Sequence, residues 1–353
     1  MDNSKDILLV ADYHARNCEV RWFNCFTGEE RCHRIPTGGA EILGLVDRSL
    51  AEAGADGAGG RVRWIMESTT GWARVKDLLG GPADFVLANV LQMPLPPKAR
   101  RRKSDKIDTA RMLREELNGT LPRAYQPGPW LRRVRRVVDC RWSLVRRMTA
   151  VKNWISSYLH HETWEDRGGL WSAVGMRRLR ALALPARDRL VMGVKLEELE
   201  HLQSLLDQVE AEMQAIYEKW PAAQRLDAVR GVGMVTAVSV LAHIGPIERF
   251  PTPEDLISYA GLAPGLRQSD ARRYNGRIGG GGTDRQLRYL LIESARWLCQ
   301  IPRYRPAYER ALAKRGKNVA KIVVARLFLR SVHKMLRDDL QFNPAPRSRM
   351  VRA

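Results

Sequence analysis

Asp105 and Asp108 stand three residues apart in the stretch KSDKIDTARML, residues 103–113. On a helix, positions i and i+3 project from one side with Cβ atoms roughly 5–6 Å apart, so both carboxylates could aim at one point. Ser104 is a suitable N-cap, and a helix N-terminus favours anions. Hard divalent cations take oxygen ligands, and phosphoryl transfer commonly uses two such ions about 3.5–4 Å apart. Taken alone, the pair reads better as a solvated helix face, balanced by Lys103, Lys106 and Arg111. Two further acids bear on the choice. Asp12 ends the apolar run ILLVAD, where a carboxylate is costly unless it holds a ligand or a hydrogen-bond partner. Glu67 ends VRWIME and is followed by STTG.

These acids need elements to hold them. ILLVAD (7–12) and the alternating CEVRWFN (18–24) read as antiparallel strands joined near His14–Asn17. A helix is expected around Ala40–Ala53, a glycine-rich loop over 54–60, and a third strand over 61–68. A helix ended by Gly80, Gly81 and Pro82 follows, then a strand over 84–90 and a basic, proline-rich loop over 92–102. Strands followed by alternating helices and strands indicate an α/β domain. An acid at the end of each of two strands, with two on a later helix, is how a ribonuclease-H-like domain assembles a metal site. All four carboxylates are therefore candidate metal ligands.

Beyond a Pro/Gly-rich linker at 119–130, LRRVRRVVDCRWSLVRRM (131–148) sets Val134, Val138, Val145 and Met148 at helical spacing among arginines. Leu199, Leu202, Leu206, Val209, Met213, Ile216 and Trp220 recur in steps of three and four, a heptad seam. That seam suits either a hairpin packing on itself or an intermolecular coiled coil. Residues 225–245 read as helix, a Gly231-Val232-Gly233 turn and helix, resembling a helix-hairpin-helix whose backbone N–H groups can approach phosphate. The expected fold is thus α/β plus all-α. Residues 1–125 would form the ribonuclease-H-like (RuvC-like) domain, 126–222 a basic helical or coiled-coil linker, 223–340 a mostly helical C-terminal domain, and 341–353 a tail.

Fifty-nine Lys+Arg against 39 Asp+Glu leave a formal charge of +20 on 353 residues. That excess calls for a polyanionic partner, with a nucleic-acid backbone the first candidate. No apolar run approaches the ~18 residues that span a bilayer, and no signal peptide opens the chain, so a cytoplasmic, nucleoid-associated protein is expected. Five cysteines, an odd count without a CxxC pair, suit reduced thiols.

The order Asp12 (VADYHARN), Glu67 (IMESTTG), Asp105 and Asp108 (KSDKIDTARML) resembles the DEDD-type insertion-sequence transposases, a group that includes Piv-like DNA invertases and bridge-RNA-guided recombinases. The third motif, D-x-x-D-A/T-x-x-L after a basic loop, is the most specific. LDAVRGVGMVTAVSVLAHIG, FPTPEDLISYAGLAPGLRQS and NGRIGGGGTDRQLRYLL extend the resemblance, which covers about residues 6–335. Departures include Val10-Ala11 before the first acid and Asp270 after Ser269, where the family often has glycine.

The resemblance implies that Asp12, Glu67, Asp105 and Asp108 hold one or two Mg²⁺ ions, and that Ser269, shortly after AGLAP, is the nucleophile. It implies a 5′-phosphoserine intermediate, donor and target DNA as substrates, a structured noncoding bridge RNA as guide, and a homo-oligomer, dimer or tetramer. Arg267, Arg272 and Arg273 around that serine would clamp phosphate bidentately. Arg101, Arg102 and Lys103 in the basic loop, with Arg132, Arg133, Arg135 and Arg136 on the basic helix, would track nucleic-acid backbones. Two other readings stay open: a metal-dependent nuclease or junction resolvase using water, and a noncatalytic nucleic-acid-binding protein with degenerate acids.

Overall fold

The computed structural model describes residues 6–55, 60–94, 105–161, 169–264, 266–269, 272–275, 278–280 and 283–345, with backbone alone for 55, 105, 106, 266–269 and 272–275. The basic loop with Arg101, Arg102 and Lys103 lies outside the described residues, as do 56–59 of the expected glycine loop. The chain divides into two compact units, Met1–Gln126 and Pro127–Ala353.

The first unit is a five-stranded mixed sheet in the order β3-β2-β1-β4-β5. Its strands are β1 (Ile7–Tyr13), β2 (Asn17–Asn24), β3 (Glu30–Pro36), β4 (Val62–Glu67) and β5 (Asp84–Ala88). β2 runs antiparallel to both neighbours, whereas β1, β4 and β5 are parallel. The turn from β1 to β2 is closed by the His14 N–H donating to Asn17 O. The stretch at 61–68 is thus the fourth strand rather than the third. The intervening β3, ERCHRIP, escaped the reading because it is a polar edge strand whose alternate residues face solvent.

Helix α1 (Gly39–Ala55) runs two residues beyond its expected end, into the start of the predicted glycine loop. Helix α2 (Trp72–Leu79) stops at Gly80, whose φ of 48° is left-handed. Both pack on one sheet face, where Ile7, Leu9, Ala11, Val62, Trp64 and Met66 point. Helix α3 (Asp105–Leu117) covers the other face, setting Met112 and Leu113 against Leu8, Val10 and Ile65. Residues 119–126, read as linker, partly join the sheet: the Ala124 N–H donates to Leu87 O, and Arg123 bridges Ala88.

In the second unit, α4 (Pro129–His161) and α6 (Ala186–Glu218) form a long hairpin closed by α5 (Ala173–Arg180). The heptad seam is consumed here: Leu199, Leu202 and Leu206 are buried with Leu144, Met148, Val151 and Ile155 of the same chain. Of the two readings of the seam, the hairpin packing on itself is the one these residues adopt. Helices α7 (Pro221–Asp227) and α8 (Met234–Ile244) flank a turn in which Gly231 has φ 89° and lies so close to Trp297 that a Cβ would fall 2.3 Å from its Cβ. Helix α9 (Pro253–Tyr259) opens on a Thr252–Asp255 capping box. A hairpin of β6 (Leu266–Ser269) and β7 (Arg272–Asn275) leads to α10 (Arg285–Leu298) and to α11 (Arg305–Arg337), which is broken at Gly316. The hairpin was not anticipated in a region read as helical.

Candidate active site

Strand periodicity decides where the acids of the first unit face. Side chains alternate along β1, so Asp12 continues the row of Leu8 and Val10 toward α3. Glu67 continues the row of Arg63 and Ile65 on β4, and Arg63 reaches α3, its Nη1 lying 2.8 Å from Glu116 Oε1. The parallel register pairs Ala11 with Met66, so Asp12 and Glu67 occupy the next positions on neighbouring strands, about 4.8 Å apart by strand spacing.

Helix α3 lies antiparallel to β1 and β4. Glu116, near its C-terminus, meets Arg63, whose register partner is Leu8. About two turns earlier, Thr109 Oγ1 lies 3.4 Å from Arg21 Nε, and Arg21 is the register partner of Val10. From Thr109 back to Asp105 the helix rises about 6 Å, and from Val10 to Asp12 the strand advances about 6.6 Å. Asp105 and Asp108 therefore sit at the level of Asp12. Asp108 precedes the buried Thr109 and lies one turn before the buried Met112, on the face turned to the sheet.

One end of this face thus collects Asp12, Glu67, Asp108 and the start of α3. Asp12 is 8% exposed and has His14 Nε2 3.4 Å from its Oδ1. Thr69 Oγ1, two residues past Glu67, is buried without a hydrogen-bond partner. The turn after Glu67 needs Gly71: its φ is 104°, and a Cβ there would meet the Tyr13 ring at 2.6 Å. Among the described residues, no three His, Cys, Asp or Glu side chains are close enough together to hold a metal ion. In chemical type the donors suit a hard cation, being carboxylates carried by three neighbouring elements. Burial, then the charge of the Asp12 carboxylate, pushes the Cys18 thiol up to about 12.

In the second unit, Ser269 ends β6 and pairs in register with Arg272, while Arg267 and Arg273 pair with Tyr274 and Gln268. The serine and the three arginines share one small hairpin. The hairpin's flanks are drawn together where the Asp284 N–H donates to Tyr259 O at 3.0 Å. There His243 Nδ1 lies 2.7 Å from Asp284 Oδ2, and Asp284 also caps α10 by accepting from the Leu287 N–H. Burial opposes ionisation of Asp284, but the hydrogen bond and charge of His243 prevail and hold its carboxyl below the ordinary range. His243 Nε2 is buried and unpartnered. Neither residue was singled out from sequence, because a His–Asp pair 41 positions apart carries no local pattern.

The arginines of α4 divide. Arg133 and Arg136 are exposed, whereas Arg135 donates to Ala242 O at 2.7 Å and His243 O at 3.0 Å, capping the C-terminus of α8. Arg135 thus has a structural task that helical periodicity alone does not reveal.

The chain thus joins a mixed α/β unit, with acids near the ends of two adjacent strands, to a helical unit carrying an arginine-rich hairpin. Residues 223–311 match the family model described as Transposase IS116/IS110/IS902 family. The chain is 33% identical over 132 residues to the insertion element IS110 uncharacterized 43.6 kDa protein of Streptomyces coelicolor, covering 37% of this chain and 32% of that protein. It is 27% identical over 249 residues to the transposase for insertion sequence element IS1111A of Coxiella burnetii, covering 66% and 65% of the two. It is 26% identical over 263 residues to the insertion element IS116 uncharacterized 44.8 kDa protein of Streptomyces clavuligerus, covering 69% and 62%. The chain spans between about a third and two thirds of the length of these curated relatives. Over residues 223–311 the chain is thus similar to the insertion-sequence transposases.

Proposed function

We propose that this chain cuts and rejoins DNA as the strand-transfer enzyme of an insertion element, through a serine-linked intermediate and with a structured RNA choosing the target. The observation that carries the reading is the sheet order β3-β2-β1-β4-β5 with β2 alone reversed, acids ending the adjacent strands β1 and β4, and α3 antiparallel across them. That arrangement supports reading the first unit as a ribonuclease-H-like (RuvC-like) nuclease domain, and the family match over 223–311 supports the transposase context.

On this reading Asp12, Glu67, Asp105 and Asp108 would hold one or two Mg²⁺ ions. Such ions polarise a scissile phosphate and stabilise the charge that develops on a departing oxygen. The chain's own steps are then simple. Ser269 Oγ attacks phosphorus and loses its proton, an Oγ–P bond forms, and the P–O3′ bond breaks. The 3′-oxygen leaves protonated and the 5′-phosphate stays on the serine. Attack by the 3′-hydroxyl of another strand reverses the step, so one phosphodiester is exchanged for another without ATP. Arg267, Arg272 and Arg273 accompany the serine on its hairpin and would clamp the phosphate. Arg133 and Arg136, exposed on α4, would bind backbone charge. In the composite sites implied by the resemblance, acids and serine come from different protomers of an oligomer.

The test uses the full chain with the RNA that copurifies with it and a plasmid bearing the DNA that flanks its gene, resolved on denaturing gels. Wild type should form a covalent protein–DNA adduct. Ser269→Ala should lose the adduct, and Asp12→Asn should reduce cleavage by more than about a hundredfold, since bound metal contributes several kcal/mol to such transition states. Cleavage by Ser269→Ala at the wild-type rate, leaving free 5′-phosphates, would make the protein a water-using nuclease instead. Joining that survives ribonuclease treatment would remove the guide RNA from the proposal.

A further inference from the structure

In mid-helix, Arg111 Nη2 ties α3 to the preceding loop, 3.0 Å from both Met93 O and Pro94 O. A buried charge cluster anchors the far end of the helix, whose height brings Asp105 and Asp108 level with Asp12 and Glu67. Arg63, on β4, is 6% exposed and lies among Asp6, just before β1, and Glu116, the last-but-one residue of α3. Its Nη2 is 3.2 Å from Asp6 Oδ2 and its Nη1 is 2.8 Å from Glu116 Oε1. Asp6 Oδ1 also accepts from the Arg61 N–H at 3.3 Å, and Glu116 Oε1 accepts a second bond from Arg123. Asp6 and Glu116 are themselves only 7% and 3% exposed.

Apolar packing holds a helix on a sheet but is weakly directional along the helix axis. A planar guanidinium with two carboxylates is different, because its bonds fail when a partner slides by an ångström. A slip of one residue would carry Glu116 about 1.5 Å along the axis. We infer that Arg63, with Glu116 and Asp6, is a positioning cluster that sets the longitudinal register of α3 and thereby places Asp105 and Asp108 beside Asp12 and Glu67. The inference rests on the carboxylates being the metal site.

The test replaces the cluster by apolar or neutral groups of similar size, Asp6→Asn with Arg63→Met and Glu116→Leu. Such replacements of buried ion groups commonly keep a protein folded. Mn²⁺ binding to the full chain is followed by titration calorimetry, alongside thermal unfolding. The expected result is wild-type thermal stability with Mn²⁺ affinity weakened at least about tenfold, the loss typical when groups supporting metal ligands are removed. Arg63→Lys keeps the charge but loses the planar fork, and should weaken Mn²⁺ binding to a lesser degree with the fold intact. Wild-type affinity in either folded variant overturns the inference. Asp12→Asn is the control. If it binds Mn²⁺ as wild type does, the metal reading falls and the inference with it. If Asp12→Asn loses Mn²⁺ while the cluster variants keep it, the positioning role alone falls.

Discussion

Cys18 and Asp12 illustrate how one buried carboxylate shapes its surroundings. Asp12 stands one residue before the end of β1, after five buried residues, where a carboxylate is costly unless it is partnered. Cys18, the register partner of Tyr13, is fully buried close by, and its thiol is pushed up to about 12. The thiolate is the reactive species, and near pH 8 it is about 10⁻⁴ of a thiol with that value. Alkylation of the native chain at pH 8, read by peptide mass spectrometry, should therefore label the exposed Cys32 and Cys140 and leave Cys18 unmodified until the protein unfolds. Labelling of Cys18 at the rate of Cys32 would contradict its burial. Asp12, Glu67, Asp105 and Asp108 were legible as candidates because acids at strand ends and at i, i+3 on a helix are local patterns. Arg63, Asp6, Glu116, His243 and Asp284 were not, because each acquires its role from a partner more than 40 positions away.

At the scale of elements, the turn that follows Glu67 is the most sharply constrained. Gly71 has φ 104° and leaves no room for a Cβ beside the Tyr13 ring. Gly71→Ala should cost about 1–3 kcal/mol, the range for a residue forced into such backbone, and thermal unfolding should show it. A lesser loss would mean that the turn and Tyr13 can shift together. The helical hairpin of the second unit is held more evenly. Leu202 is fully buried between α4 and α6, and Leu202→Ala should destabilise by about 2–5 kcal/mol through the cavity it leaves, as read from denaturant midpoints. Element type and order were largely legible where side chains were strongly patterned, as in β1, β4 and α6. β3 was not, because an edge strand with one solvated face and charged residues has no apolar signature. The β6–β7 hairpin was missed for a similar reason: LRQS and RRYN are short and polar, and their pairing is a backbone matter.

For the molecule as a whole, the charge of +20 is the property that acts at longest range. Binding to duplex DNA or structured RNA should weaken steeply with salt, its log–log slope growing by about 0.9 for each duplex phosphate neutralised. Replacing Arg133 and Arg136 together by glutamine should reduce that slope by roughly two if both contact phosphates of duplex DNA, in fluorescence anisotropy across a salt series. An unchanged slope would place the nucleic acid elsewhere. No helix among the described residues is long and apolar enough to cross a membrane.

Sequence by itself determined the chemistry on offer here, namely four acids and a serine among arginines. It also determined the mixed class of the fold, since residue type and short periodicities are written locally. Tertiary structure decided the rest. It brought β1 beside β4 although 48 residues separate them in the chain, laid α3 antiparallel across them, and turned the α6 seam inward onto α4. Those outcomes depend on which apolar faces bury each other and which buried charges find partners. Both are sums over the folded chain that no single stretch of it contains.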